Sequence, residues 1–248
     1  MLNPQARGFE MCGREIIKAK VREYASMFDV LNVPDLVPNY NVAPTHTVPV
    51  VRMKPEEKSR EMVLLKWGLI PSWAKDPAIG RRMINARAET LTEKPAFRHA
   101  FRHRRCLMVT DGFYEWQRTN GKRKQPYFIG MNDESPFAFA GLWERWGDDP
   151  FSEPIESCAL ITTDANDLVR PIHDRMPVIL EPNDYEKWLD PEVEDTAELQ
   201  ELLVPLPAEH MKTYPVSTFV NKVENNSPEC LAPVPIESAV PPPKQLFE

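Results

Sequence analysis

The sequence predicts a single α+β domain, rich in strands that pair mostly antiparallel. Short runs of Val, Ile, Leu and Phe recur along the chain and are bounded by Pro, Gly, Asn or Asp, as strands usually are. Asn120-Gly121 lies between two of these runs, which is typical of a type I′ hairpin turn. Helical periodicity is confined to a few short segments. Together these observations favour an antiparallel sheet with peripheral helices.

The first element predicted is a helix over residues 15–28, because Ile17, Val21, Tyr24 and Phe28 recur at helical spacing. The segment MNDESP is predicted to be the turn of a second hairpin. Strands are predicted at TVPVVRM, EMVLLKWGL, RCLMVT, QPYFIGM, PFAFAGLW, SCALITT and MPVIL.

Helices are predicted to return at KPAFRHAFR, NDYEKWL and TAELQELL. In the second of these, Asn183 is the expected N-cap, with Glu186 three residues on. Residues 233–248 are proline-rich and predict a loose tail. We therefore expect one domain over 11–232, preceded by residues 1–10 as a leader or a misassigned start.

Composition places the chain among soluble proteins. Its 248 residues can bury a substantial core, and it has no apolar run of 18 residues and no signal peptide. The four cysteines lie far apart and form no CxxC pair, which predicts reduced thiols in a cytoplasmic protein: Cys12, Cys106, Cys158 and Cys230.

Charge is distributed unevenly. The net charge of −7 argues weakly against a nucleic-acid partner. However, residues 181–248 hold fourteen acidic and four basic residues, whereas 81–105 holds eight basic and two acidic ones. This basic stripe suits a phosphate backbone, although a solvated helix face would have the same composition.

Cofactor and metal motifs are not expected. None of the nine glycines forms a phosphate-binding loop. His99, His103 and Cys106 have a metal-like spacing, but Arg98, Arg102, Arg104 and Arg105 surround them and would repel a cation. Ordinary packing or phosphate contact is the better interpretation of this cluster.

Three polar motifs could carry chemistry. INARAET places Asn85, Arg87 and Glu89 at alternate positions, on one face if the segment is extended. Glu115 lies between two aromatic residues, which suits a general acid, although a salt-bridged strand residue is the alternative. His173 precedes a strand in RPIHDRMP, where a lone histidine is more often structural than catalytic.

Seven motifs, taken in order, carry a family resemblance. The motifs MCGR, YNVAPTHTVPVV, WGLIPSWAKD, INARAET, RRCLMVTDGFYEWQ, FAFAGLWERW and LITTDAND…IHDRMPVIL resemble the SOS response-associated peptidases (SRAP), the abasic-site processing proteins. The resemblance runs from Met11 to about residue 231. It implies a twisted, barrel-like α+β domain with a positively charged cleft.

The resemblance also implies site residues. The family's catalytic positions are matched by Cys12, Asn85, Glu115 and His173, and its DNA contacts by Arg14, Pro44, Trp73, Arg87 and Arg175. The implied partner is single-stranded DNA containing abasic sites, bound during the DNA damage response. The implied protein is a monomer without a cofactor, cytoplasmic and nucleoid-associated when bound to DNA.

An N-terminal cysteine would explain the chemistry. An α-amine ordinarily has a pKa of about 7.7–8.0 and a thiol about 8.5, so both nucleophiles are accessible near neutral pH. The amine can form a Schiff base with an abasic aldehyde, and the thiolate can then close a thiazolidine ring. Residues 1–10 would block this amine, so we expect the active chain to begin at Cys12. A thiol autopeptidase (a hydrolase that removes its own leader), a lyase-type activity and a non-covalent DNA binder are the alternatives.

Overall fold

The computed structural model describes residues 13–54, 57, 59–118, 124–147 and 151–235. The strands are β1 (Glu15–Ile17), β2 (Asn39–Val42), β3 (Thr47–Met53), β4 (Arg60–Trp67), β5 (Asn85–Arg87), β6 (Arg105–Thr110), β7 (Gly112–Arg118), β8 (Lys124–Met131), β9 (Phe137–Trp146), β10 (Ile155–Asp164), β11 (Arg175–Pro177), β12 (Ile179–Leu180) and β13 (Met211–Pro215). The α-helices are α1 (Val21–Phe28), α2 (Arg98–His103), α3 (Tyr185–Leu189) and α4 (Thr196–Gln200). Short 3-10 helices occupy Pro77–Arg82, Ala88–Thr90, Pro182–Asp184, Ala208–His210, Thr218–Asn221 and Pro228–Leu231.

These strands form two sheets. One has five strands in the order β13-β8-β7-β1-β2. The other has eight, and within it β10, β4, β3, β6 and β9 close into a ring because β9 also pairs with β10. Pairing is antiparallel except where β10 runs parallel to β4 and β5. The prediction of a β-rich, mostly antiparallel, barrel-like α+β fold is confirmed.

A sharp bend joins the two sheets. All six residues of β6 are buried, as expected for an apolar strand covered on both faces, and β7 follows after Asp111. The Asp111 carboxylate accepts hydrogen bonds from the Lys18 backbone N–H (2.6 Å) and the Tyr24 hydroxyl, so it ties α1 to the bend. Gly112 is needed there because a Cβ would lie 2.4 Å from Cε2 of Phe128.

The helix predicted over 15–28 is partly wrong. Residues 15–17 form β1, which lies between β7 and β2, and the helix begins only at Val21. Ile16 pairs with Gly112 across the sheet. Helical spacing is a local signal, whereas these strand pairs join residues nearly a hundred positions apart, so tertiary pairing overrides it.

The predicted second hairpin is also wrong. The segment MNDESP connects β8 of the five-stranded sheet to β9 of the barrel, and these two strands do not pair. By contrast, β7 and β8 form the predicted first hairpin, with Arg118 opposite Lys124. The Asn120-Gly121 turn itself lies outside the described residues.

Smaller corrections concern helix and strand ends. Asn183 is not an N-cap, because Pro182 starts a 3-10 turn and α3 begins at Tyr185. Glu89 does not share the extended segment of Asn85, since β5 ends at Arg87 and a 3-10 turn follows. The helices predicted at 94–102 and 196–203 are shorter, as α2 and α4.

The main core fills the barrel and extends between the two sheets, while a small second cluster around Tyr114 and Phe128 covers the outer face of the five-stranded sheet. Cys106, Cys158 and Cys230 are buried and form no disulfide with one another. In the described part of the chain, no helix combines the length and apolarity needed to cross a membrane.

Candidate active site

A cavity of about 540 Å³ opens beside the start of β1. It brings together four residues that the sequence singled out: Arg14, Pro44, Glu115 and His173. Gly13 also lines it, and Gly13 directly follows Cys12 in the chain. Cys12 itself lies outside the described residues. The cavity therefore combines residues that are widely separated in the sequence.

Glu115 is positioned by the pairing of β1, β7 and β8. It is opposite Tyr127 on β8, and the backbone N–H of the preceding Tyr114 donates to the carbonyl of Arg14 (3.0 Å). Its side chain is only 4% exposed although it reaches the cavity. β1 runs antiparallel to β7, and this register places Glu115 beside Gly13, the residue that follows Cys12 in the sequence.

Arg14 is held on the opposite side of β1 from the barrel. Its Nη1 donates to Asn41 Oδ1 (2.6 Å) and to the Val220 carbonyl (3.0 Å), and its guanidinium lies 5.5 Å from the centre of the Trp116 ring. Partial burial lowers the pKa of Arg14 from its ordinary value. In the described structure only Nη1 is hydrogen bonded, which leaves Nε and Nη2 for a ligand.

His173 lines the cavity, and one of its ring nitrogens is already hydrogen bonded. Its Nδ1 accepts a hydrogen bond from the Arg175 backbone N–H (3.0 Å) and lies 3.1 Å from Asp174 Oδ1. The bond from Arg175 needs a lone pair on Nδ1, so the remaining proton is placed on Nε2. Nε2 is therefore the atom of His173 that can exchange a proton with a bound molecule.

Pro44 lies in a tight turn between β2 and β3. The backbone N–H of Thr45 donates to the Trp67 carbonyl (2.8 Å), and that of His46 donates to the Ala43 carbonyl (3.1 Å). Thr45 has a φ of +75°, in the left-handed region that a β-branched residue rarely adopts. Strain of this kind is concentrated at functional sites, and here the two hydrogen bonds hold Thr45 in its strained conformation and so fix the turn on which Pro44 lies.

We expect Thr45→Gly to raise the free energy of unfolding by about 1 kcal/mol, because the left-handed conformation costs an L-residue roughly that much. Urea unfolding measures the change, and Thr47→Gly in β3 is the matched control, which should lower stability instead. A loss of stability in Thr45→Gly would contradict the assignment of strain to this turn.

The other predicted site residues lie outside this cavity. Asn85 and Arg87 are on β5, opposite Leu160 and Thr162 of β10. Asn85 Oδ1 is buried and has no hydrogen-bond partner among the described residues. Trp73 is 59% exposed on the loop after β4, where its Nε1 lies 3.5 Å from the Pro95 carbonyl.

Arg175 is already occupied by two carboxylates. Its guanidinium bonds both oxygens of Glu89 (2.6 and 3.0 Å) and Asp164 Oδ1 (2.9 Å), and its side chain is only 13% exposed. A phosphate would have to displace one of these carboxylates. Through its backbone N–H, Arg175 instead orients His173.

Three basic residues of the cavity were not singled out from the sequence. Arg81, Arg118 and Lys124 line it together with Arg14, whereas Glu115 is the single carboxylate among its described lining residues. Arg81 begins the basic stripe of residues 81–105, and the other two flank the β7–β8 turn. Only the pairing of strands shows that they share one cavity. Its net positive charge suits an anionic ligand.

Comparisons with known proteins identify the family of the chain. A family model described as SOS response associated peptidase (SRAP) matches residues 11–223. The abasic site processing protein YoqW of Bacillus subtilis (strain 168) is 43% identical over 224 residues, covering 89% of this chain and 99% of that protein. The abasic site processing protein HMCES of Gallus gallus is 37% identical over 233 residues, covering 82% of this chain and 68% of that protein.

The fold also has a solved counterpart. A crystal structure of a protein from Bacteroides thetaiotaomicron matches with a TM-score of 0.80 and 32% sequence identity, covering 90% of this chain and 100% of that one. The resemblance expected from the sequence motifs is thus confirmed by a family model over most of the chain and by the Bacillus subtilis relative along nearly its whole length. The chain belongs to the SOS response associated peptidase (SRAP) family.

Proposed function

We propose that this protein binds abasic sites in single-stranded DNA and joins them covalently through Cys12. The observation that carries the proposal is the single cavity in which Gly13, Glu115 and His173 meet several basic side chains. The names of the relatives, abasic site processing proteins, point to the same substrate. The protein acts as a cytoplasmic monomer and is associated with the nucleoid while bound.

The covalent step uses both nucleophiles of an N-terminal cysteine. The amine of Cys12 attacks the C1′ aldehyde of the ring-opened abasic sugar, and loss of water gives an imine. The Cys12 thiolate then adds to the imine carbon, forming a C–S bond while the nitrogen takes up a proton. Ring closure is intramolecular, for which effective molarities of about 10⁵–10⁸ M are known, so the thiazolidine outlasts the reversible imine.

Proton transfers are assigned to the carboxyl and the imidazole that line the cavity. Glu115 transfers protons during opening of the sugar ring and loss of water from the amine adduct. His173 acts through Nε2 at the sugar hydroxyl and assists reversal of the adduct. Asn85 is proposed to orient Cys12 and the sugar with its amide, whose buried oxygen still has acceptor capacity.

Strand binding is assigned to exposed basic and flat side chains. Arg14 and Arg87 contact phosphates, which makes affinity dependent on salt. Trp73 and Pro44 stack on bases beside the lesion, which favours unpaired strands. Arg175 is proposed as a further phosphate contact. A phosphate would have to compete there with Glu89 and Asp164, which already bond its guanidinium.

Crosslinking depends on a free amine at Cys12. We expect a chain that starts at Met11 to lose Met11 and to crosslink an abasic oligonucleotide, because the small residue after Met11 permits trimming. A chain that keeps residues 1–11 should not crosslink, since an amide nitrogen cannot form the imine. A denaturing gel together with intact-mass measurement checks both. Crosslinking by a preparation whose mass includes residues 1–10 would refute the requirement.

Removal of the leader by the protein itself is a second candidate activity. It is favoured by the position of Glu115 and His173 in the same cavity as Gly13, the residue that follows Cys12 in the sequence. Glu115→Gln should then retain residues 1–11, whereas Glu181→Gln, an exposed control, should lose them. Loss of the leader from both variants would assign processing to another enzyme.

A further inference from the structure

A second cavity, of about 380 Å³, lies between the end of β3, α2, the end of β9 and the turn after α3. It shares no described lining residue with the first cavity. We call this second cavity the basic pocket, because its lining includes the basic side chains of Lys54, His99, His103, Arg104 and Arg145.

Positive charge exceeds negative charge in the basic pocket. None of its described lining residues is Asp or Glu. Carboxylates do pair with Lys54, Arg104 and His103, but from outside the lining, through Glu57, Glu144 and Glu194. Arg145 and His99 form no ion pair with any described residue, so their donors remain available.

The pocket wall is held rigidly. Arg105 is 3% exposed, and its guanidinium donates to backbone carbonyls of both α2 and the segment from Trp188 to Val193. Trp143 forms an apolar part of the wall, with the guanidinium carbons of Arg52 and Arg104 4.2 and 5.7 Å from its ring centre. These contacts fix the shape of the pocket beside its exposed donors.

A cation is a poor match for this pocket. Burial and the positive charge of the neighbouring Arg104 lower the pKa of His99, and the same positive charge would repel a metal ion. The described residues contain no cluster of three His, Cys, Asp or Glu side chains able to hold a metal ion. Arginine, lysine and imidazole N–H groups around an acid-free lining are instead the donors that bind phosphate.

The position of the pocket connects it to the first cavity. The Trp73 ring is next to Pro95, in the segment that leads into α2, and the carbonyl of the following Ala74 accepts a bond from Trp146 Nε1 at the end of β9 (2.6 Å). The next element along the chain is the 3-10 helix that carries Arg81 into the first cavity. The loop of Trp73 therefore contacts elements of both cavities.

We propose that the basic pocket binds a backbone phosphate of the same DNA strand that occupies the first cavity, several nucleotides from the lesion. The inference rests on the proposed function for the identity of the strand, but the pocket's preference for phosphate stands on its own lining. The basic pocket would extend the protein–DNA contact from the abasic site to the nucleotides that flank it.

Two oligonucleotides with a non-reactive abasic analogue test this proposal, one of about 4 and one of about 16 nucleotides, the range of common single-strand sites. Arg145→Ala should weaken binding of the long strand several-fold and reduce its log–log salt slope by about 0.7, one phosphate contact. It should leave the short strand unaffected. Arg22→Ala, an exposed arginine on α1, is the control and should change neither.

Equal losses for both strands, or no loss for either, would overturn the proposal. A separate titration with inorganic phosphate, followed by the imidazole NMR signals of His99 and His103, reports the pocket alone. Saturable shifts that vanish in Arg145→Ala support a phosphate site. Such shifts without any effect of Arg145→Ala on the long strand would overturn DNA as the source and leave a free phosphate compound.

These results are separable from the covalent chemistry. If Arg145→Ala weakens binding of the long strand but a reactive abasic strand gives no adduct, the proposed covalent function fails and the phosphate site stands. If adducts form normally and Arg145→Ala leaves long-strand affinity unchanged, the proposed function stands and the phosphate site on this strand fails.

Discussion

Cys12→Ala is expected to abolish the denaturant-resistant adduct with abasic DNA while leaving non-covalent binding to single strands largely intact. Alanine retains an N-terminal amine and can still form an imine, but it has no thiol to close the ring. The variant therefore loses the intramolecular ring closure, whose high effective molarity is equivalent to about 7–11 kcal/mol. Binding should persist because Arg14, Arg87 and Trp73 are unchanged. A denaturing gel and a filter-binding assay measure the two properties.

Borohydride provides the internal control for this variant. It reduces an imine to a stable amine, so Cys12→Ala should give an adduct with borohydride and none without it. Cys230→Ala, which removes a buried thiol far along the chain, should crosslink normally. A stable adduct of normal yield from Cys12→Ala in the absence of borohydride would exclude the thiazolidine mechanism.

Glu15→Gln is expected to remove a large pH dependence of stability. Glu15 lies in β1 opposite Phe113, is 1% exposed, and neither of its carboxylate oxygens has a hydrogen-bond partner in the described structure. Burial raises the pKa of Glu15 to about 8. A carboxyl in this environment is held in its protonated, uncharged form at neutral pH.

The sign of the effect follows from proton binding. Because the pKa is higher in the folded protein than in the unfolded chain, the folded state binds more protons between about pH 4.5 and pH 8. Stability is therefore greatest below this window and falls as pH rises through it. With about 1.4 kcal/mol for each pKa unit, the fall amounts to several kcal/mol.

Urea unfolding at a series of pH values measures this prediction. The free energy of unfolding of Glu15→Gln relative to the wild type should increase by several kcal/mol as pH rises through the window. Glu181→Gln, with an exposed side chain, should run parallel to the wild type throughout. A constant difference between Glu15→Gln and wild type at all pH values would show that Glu15 ionises normally in the folded protein.

Much of the fold could be predicted from local sequence. The apolar runs of β3, β4, β6, β8, β9 and β10 were all located correctly, because β-branched and aromatic residues bounded by turn formers are a short-range signal. The β7–β8 hairpin was found for the same reason. Which strands pair with each other is harder to predict from local sequence, as the mistaken pairing of β8 with β9 shows.

The site divides in the same way. Glu115 and His173 could be proposed from their neighbours in sequence, and family motifs added Arg14 and Pro44. Their meeting in one cavity required the closed barrel and the five-stranded sheet. Arg81, Arg118 and Lys124 were missed because an exposed basic residue looks the same in sequence whether it borders a cavity or faces solvent.

By itself, then, the sequence determined the strand-rich class and the family and proposed the candidate reactive groups, since each depends on residue type and short spacing. Only the tertiary structure decided that residues 15–17 form a strand instead of a helix, and that Glu89 and Asp164 occupy Arg175. It also decided that the unpartnered Glu15 carboxyl is buried. The physical reason is common to all three: each depends on contacts with residues distant in the chain, whose strength no local pattern encodes.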